Sequence, residues 1–216
     1  MWKRASEEVA VSRAKSGMRD IAAAAEWRLL GLLLQRPRPG WHAQVGALGR
    51  EVADKRLAAA AAAARDAQEG FYLAVFGPGG GVSPRAVSYR AFADPGGILS
   101  EIAGYHEAFG FRSDSEDPPD HVAVLCDFVS YLRFKEAYAS ACGEREAARL
   151  SAEARQYVVE THVAPIACAL ADVFEAAPPS YLRDTVRLLR ARVPFVAPTV
   201  LGPEADDEIG CGGCTT

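Results

Sequence analysis

The spacing of apolar residues is helical along almost the whole chain, and this feature constrains the fold more than any other. The spacing i, i+3, i+4 and i+7, which marks one helical face, is clearest in the run Leu125, Phe128, Val129 and Leu132. No stretch alternates between apolar and polar residues as a half-exposed β-strand would. The 216 residues are 50% hydrophobic and 24% charged, which is enough to bury one good core. The sequence therefore predicts an all-α, single-domain helical bundle.

Prolines and glycines divide this pattern into separate helices. Proline cannot continue a helical hydrogen-bond ladder, so "RPRPG" at 36–40 ends the first region, and the glycine-rich residues 77–81 end the second. The expected helical regions are 6–35, 42–76, 97–109, 121–141, 150–176 and 179–193, with a short helix within 83–89. We expect residues 1–203 to form the helical domain and residues 204–216 to be a flexible acidic tail.

Charge and cysteine content narrow the class of protein further. A net charge of −4 does not suggest a nucleic-acid partner. The most apolar N-terminal run, "AAAAEWRLLGLLL", contains two charged residues and is too short to span a bilayer, so we predict no stable membrane insertion and a cytoplasmic location. An odd number of widely spaced cysteines fits a reducing compartment. Three of them follow helical patterns and are expected to be buried: Cys126, Cys142 and Cys168.

The stretch "EDPPDHVAVLCDFVSYL" at 116–132 places an Asp-His pair at the start of an apolar helix. Asp120 is predicted to be the N-cap of this helix, and the adjacent helix dipole then favours a neutral His121. A metal site is not indicated, because no two histidines have ligand spacing. No nucleophile motif, phosphate loop or dinucleotide fingerprint accompanies the pair. We therefore predict neither enzymatic activity nor a bound cofactor.

The same stretch also carries a resemblance to a known family. "DPPDHVAVLCDFVSYL" is similar to the acidic–x–Pro–Asp–His signature of the TorD/DmsD/NarJ family of cytoplasmic molybdoenzyme maturation chaperones, also called redox enzyme maturation proteins. "YLAVFGPGG" at 72–80 and "SPRAVSY" at 83–89 look like the family's other motifs. Together with weaker patterns, they cover roughly residues 20–193 in the family's order.

The resemblance implies an all-helical, TorD-like chaperone without catalysis. Its partner would be the catalytic subunit of a molybdopterin oxidoreductase of the DMSO reductase family, held by its N-terminal signal, often of the twin-arginine type, until the cofactor is inserted. Such a signal has two arginines before an apolar stretch, so recognition requires carboxylates beside an apolar groove. The candidate signal-peptide residues are Tyr72, Phe76, Tyr89, Glu116, Asp117, Pro119, Asp120, His121, Phe128 and Leu132. Core packing is the alternative for the aromatic residues, a solvated surface is the alternative for the acidic loop, and a homodimer stays open.

The chain ends in Cys-Gly-Gly-Cys, with Cys211 and Cys214 in Cys-x-x-Cys spacing. One such pair supplies only two ligands, so a closed zinc site would need histidines or a second chain. A thioredoxin-like motif would lie near a βαβ pattern, which the sequence lacks. We expect a flexible tail, and the alternative function is a small helical metal-binding or redox protein that uses these two cysteines.

Overall fold

The computed structural model describes residues 2–90, 93–178 and 180–195, with side chains from residue 17 onward. It contains nine α-helical segments: α1 Trp2–Leu33, α2 Trp41–Glu51, α3 Lys55–Ala63, α4 Glu69–Phe76, α5 Pro95–Phe109, α6 Val122–Cys142, α7 Arg145–Val158, α8 Ala164–Glu175 and α9 Tyr181–Arg190. In these residues β-structure is limited to one isolated antiparallel bridge. The predicted all-α bundle is therefore confirmed. The predicted tail and its two cysteines lie outside the described residues.

Helix α6 lies at the centre of the bundle and runs antiparallel to α1. The Ser130 hydroxyl donates to the Ala24 carbonyl at 2.7 Å, while Gly31, later in α1, lies against the earlier residues of α6. A Cβ atom at Gly31 would come within 2.2 Å of an Asp127 carboxylate oxygen and 3.0 Å of the Ala123 carbonyl. Only glycine permits this approach, so Gly31 sets how closely the two central helices pack.

The region predicted as one helical stretch at 42–76 is in fact divided into α2, α3 and α4. Asp54 begins α3 as an N-cap, since its carboxylate accepts from the amides of Arg56 at 2.8 Å and Leu57 at 3.3 Å. A short 3₁₀ turn, Ala64–Asp66, then separates α3 from α4. The alanine-rich composition hid these breaks, because high helix propensity extends across them.

The helix predicted at 150–176 begins earlier and is not uniform. It runs from α7 through a π-helical segment, Val159–Val163, into α8, and Pro165 lies in the first turn of α8. Proline has no amide to donate, and wider helical turns are one way to accommodate the missing hydrogen bond. The continuous stretch Arg145–Glu175 is long and apolar enough to cross a membrane, but 61% of its apolar window is buried in the bundle. Such burial is equally typical of a core helix in a soluble protein, so this is weak evidence for a membrane span.

Two of the three cysteines expected in the core are buried there. Cys126 and Cys168 are buried, whereas Cys142 is exposed. Cys142 is the last residue of α6, just before Gly143 at φ 80°. The prediction for Cys142 was wrong because the end of this helix extends beyond the helices that cover its centre.

Candidate functional site

The segment before α6 is joined to the loop before α5 by backbone hydrogen bonds. The Ala86 amide donates to the Asp120 carbonyl at 3.0 Å, and the Val122 amide donates to the Pro84 carbonyl at 2.8 Å. These bonds form the one antiparallel bridge of the described chain, between Arg85 and His121. Two motifs that lie far apart in the sequence, 83–89 and 116–132, are therefore a single structural unit, which we call the junction.

Asp120 holds the junction together with its side chain and does not cap α6. It is fully buried, and one carboxylate oxygen accepts from Arg85 Nε at 2.9 Å and Nη2 at 2.8 Å. The other oxygen accepts from the Val87 amide at 3.3 Å. The predicted N-cap role is thus wrong, because the carboxylate pairs with a guanidinium that only folding brings beside it. It is also not at the surface as the predicted peptide-binding residue would be.

His121 is the N-cap of α6. Its Nδ1 accepts from the Ala123 amide at 3.2 Å, so this nitrogen carries no proton. The proton of the neutral ring is then on Nε2, which lies 3.1 Å from the Tyr72 hydroxyl and donates to it. Burial lowers the pKa of His121, and nearby Asp117 and Asp120 oppose that shift. The predicted neutral imidazole agrees with this geometry, although burial is the main cause.

A cleft of about 420 Å³ opens beside the junction. Its floor is apolar and comes from α4, where Tyr72, Leu73 and Phe76 line it, and from Val82 and Pro84 of the following loop. Asp117 and His121 reach it from the segment before α6. Ligand pockets typically measure roughly 300–1,000 Å³, so this cleft suits a few side chains better than a large folded surface.

Glycines shape the wall of the cleft after α4. A Cβ atom would lie 2.4 Å from the Leu73 carbonyl oxygen at Gly77 and 2.3 Å from the Val75 carbonyl oxygen at Gly80. Gly79 has a φ of 80°, in the left-handed region that side chains disfavour. The glycine run that ends the second helical region is therefore a tight turn folded back on the end of α4.

Three arginines line the cleft, and each is paired with a carboxylate. Arg85 is held by Asp120, as described. Arg36 pairs with Glu69 at the start of α4, and Arg38 pairs with Glu116 at 2.6 Å. The acidic loop predicted from the sequence is therefore paired in part with arginines, and these arginines were not among the predicted site residues. We call the pairs of Arg36 with Glu69 and of Arg38 with Glu116 the arginine rim. The signal for them was present in "RPRPG", which we had interpreted only as a helix end.

The structure separates the predicted site residues into two groups. Those at the cleft are Tyr72, Phe76, Asp117 and His121, with Glu116 beside them through its pairing with Arg38. Those elsewhere are Asp120 in the junction, Pro119 in the turn before it, Tyr89 beneath the loop, and Phe128 and Leu132 in the core. For these last two, the groove role is wrong, because neither side chain has any exposed surface.

Tyr89 supports the loop and does not line the cleft. Its hydroxyl donates to the Ser83 carbonyl at 2.6 Å and closes the turn that carries Arg85. Burial raises the pKa of Tyr89. The ring of Phe128 packs against those of His106 and Phe111 at centroid distances of 4.6 Å and 5.0 Å. Core packing therefore describes these aromatic residues better than peptide contact does.

No group of three or more His, Cys, Asp or Glu side chains among the described residues could hold a metal ion. Cys211 and Cys214, the basis of the alternative function, lie beyond residue 195 and so outside the described residues.

The cleft and the junction lie in a region that matches a known protein family. The family model described as "Nitrate reductase delta subunit" matches residues 38–167 and so includes α4, the cleft loop and the junction. Neither a curated protein nor a solved structure matches the chain. The matched region covers more than half of the 216 residues. The chain therefore belongs to the nitrate reductase delta subunit family, a family of NarJ/TorD-type chaperones that mature molybdoenzymes.

Proposed function

We propose that this protein is a cytoplasmic chaperone whose cleft binds the N-terminal signal region of a molybdopterin oxidoreductase catalytic subunit of the DMSO reductase family. The signal is of the twin-arginine type, with two arginines followed by an apolar stretch. Binding holds the subunit until its cofactor is inserted, before export or assembly. The protein acts by binding alone and converts no substrate.

One observation carries this proposal: an apolar floor and the Asp117 carboxylate meet in one cleft built from the sequence motifs. Leu73 is 38% exposed although it lies in this floor, and Asp117 reaches the same cleft. An apolar segment gains free energy by covering Leu73 and Val82. A guanidinium gains a charge-assisted hydrogen bond from a carboxylate. The pattern of two cations followed by apolar residues satisfies both requirements.

The proposal can be tested with a synthetic twin-arginine signal peptide and isothermal titration calorimetry. Leu73→Gln should weaken binding about tenfold, since it removes roughly 1.5 kcal/mol of apolar burial. The separate variant Asp117→Asn should weaken binding about ten- to a hundredfold, because a lost charge-assisted contact typically costs about 1.5–3 kcal/mol. The control is Leu150→Gln, because Leu150 is also exposed, at 46%, but lies on α7 away from the cleft.

The controls decide how the outcome is interpreted. Each variant is first checked for folding by thermal melting, and both leucines are exposed enough for glutamine to be tolerated. If the parent protein binds no signal peptide, or if Leu73→Gln and Leu150→Gln weaken binding equally, the cleft is not the signal-binding site.

A further inference from the structure

The segment Arg36-Pro37-Arg38 presents two guanidinium groups to the cleft. Pro37 is buried between two half-exposed arginines, so the chain is anchored at the proline while both arginine side chains project outward. Both arginines line the 420 Å³ cleft and also a second cleft of about 210 Å³ beside it. Asp117 lines both clefts as well. The two arginines therefore stand on the boundary between two adjacent openings.

The carboxylates that hold these arginines are themselves placed for a ligand of the cleft. Glu69 begins α4 and lies on the same helical face as Tyr72 and Phe76, at i+3 and i+7. Glu116 belongs to the acidic segment that continues into Asp117. If both arginines withdrew, Glu69 and Glu116 would be left without these partners beside the apolar floor.

Burial shows that these ion pairs are of the exchangeable kind. In the pair of Arg38 with Glu116 the side chains are 38% and 81% exposed, and in the pair of Arg36 with Glu69 they are 40% and 46% exposed. Solvated pairs of this kind contribute little to stability, because water replaces each partner at small cost. A second guanidinium can therefore replace the first with almost no change in free energy.

We propose that Glu69 and Glu116 receive the two cationic side chains of the client peptide, and that Arg36 and Arg38 occupy these carboxylates in the free protein as an internal stand-in. This inference rests on the function proposed above and specifies where the paired cations bind. Binding is then an exchange: the peptide's arginines displace the chain's own, and its apolar stretch covers the floor of the cleft. A peptide without paired cations can cover the floor but gains no charge-assisted contact with the two carboxylates.

The test removes the guanidinium groups of Arg36 and Arg38 and keeps the carboxylates of Glu69 and Glu116. In the double variant Arg36→Gln/Arg38→Gln, the peptide's arginines no longer compete, so a twin-arginine peptide should bind about three- to tenfold more tightly than to the parent protein. The same peptide with glutamine at both arginine positions should show no such gain. The control is Arg149→Gln, which removes the same charge from an exposed arginine paired with Glu146 and Glu153 on α7. It should leave the affinity unchanged.

Adding Glu69→Gln and Glu116→Gln to the double variant should abolish the gain, because the peptide's arginines then lack their partners. If the parent binds the twin-arginine peptide and the double variant binds it no more tightly, this inference is overturned while the proposed function stands. If Arg149→Gln gives the same gain, net charge explains the effect, and if the glutamine peptide shows the same gain, the peptide's arginines are not involved. Either result overturns the inference. If neither the parent nor the double variant binds the peptide, the proposed function itself fails.

Discussion

Two arginine–carboxylate contacts beside one cleft share their chemistry but differ in burial and in the number of hydrogen bonds. Asp120 is fully buried, accepts from two nitrogens of Arg85 and also from a backbone amide. Glu116 is 81% exposed, and one of its oxygens lies 2.6 Å from Arg38. The first contact joins two segments of backbone, and the second lies in water. Burial, more than the pairing itself, decides whether such a contact maintains the fold or remains available for exchange.

Energetics explain the contrast. Removing one partner of a buried pair leaves a desolvated charge without compensation and typically costs about 3–5 kcal/mol. A surface pair is worth about 0–1 kcal/mol, because water solvates either partner when the other is lost. The junction should therefore tolerate almost no substitution, while the arginine rim should tolerate many.

The largest effect is expected from Asp120→Ala. The change leaves Arg85 and the Val87 amide without their acceptor, and because Arg85 is 36% exposed we expect the lower end of the range, about 3 kcal/mol of unfolding free energy. Urea unfolding followed by circular dichroism measures it. Glu116→Ala, the matched control on the rim, should cost less than about 0.5 kcal/mol. Equal costs would mean that the two contacts do not differ.

This expectation revises the role inferred from the sequence for Asp120. If Asp120 were an exposed cap, replacing it would weaken peptide binding more than it would destabilise the fold. As a buried partner of Arg85, it should affect folding first, so loss of binding in this variant would say little about recognition.

Acidification tests the buried side of the comparison without a substitution. Burial lowers the pKa of His106, His121 and His162, to about 4 for the first and the last. Their unfolded pKa is near 6.5, so the unfolded chain binds more protons below that pH, and stability falls as the pH drops from about 6.5 towards 4. Asp127 acts in the opposite direction, because burial raises its pKa to about 6 and stability is gained as it is protonated.

Because three histidines oppose one aspartate, we expect a net loss of stability between about pH 7 and pH 5. Urea titrations at several pH values measure this dependence. His121→Asn should make it shallower, because one of the three buried imidazoles is then absent. A stability that rises with acid would show that Asp127 dominates.

A smaller effect is expected from Tyr72→Phe. The change removes the oxygen that accepts from His121 Nε2 and leaves a buried donor unsatisfied, which should cost about 1–2 kcal/mol. The matched control is Tyr138→Phe, since Tyr138 lies on α6 and is 62% exposed. Thermal melting of both variants measures the difference. Equal losses of melting temperature would contradict the assigned hydrogen bond.

The smallest effect is expected from Arg38→Gln. We expect a loss below about 1 kcal/mol, and this loss should vanish in about 1 M salt, where the screening length is about 3 Å. Arg85→Gln serves as the comparison, because its cost should persist in salt where its partner is buried. If salt removed both costs equally, the junction would be as solvated as the rim.

Local patterns in the sequence were sufficient for the fold class, the family and the central helix α6. Helical spacing is set by residues three and four apart, so the face of α6 that carries Phe128 and Leu132 was predictable from neighbours alone. The same rule could not separate α2 from α3, because the N-cap at Asp54 lies within an alanine-rich region whose propensity favours one long helix.

Which charges meet was decided only by the tertiary structure. Asp120 lies 35 residues from Arg85, and His121 lies 49 residues from Tyr72. An aspartate before an apolar helix satisfies the N-cap rule whether or not a guanidinium reaches it, so local preference could not exclude the wrong role. Burial of Asp120 and exposure of Glu116 depend on how α4 and the segments after α1 and before α6 come together at one cleft. A carboxylate's role follows from its partner and its solvation, and both are long-range properties that residue spacing does not contain.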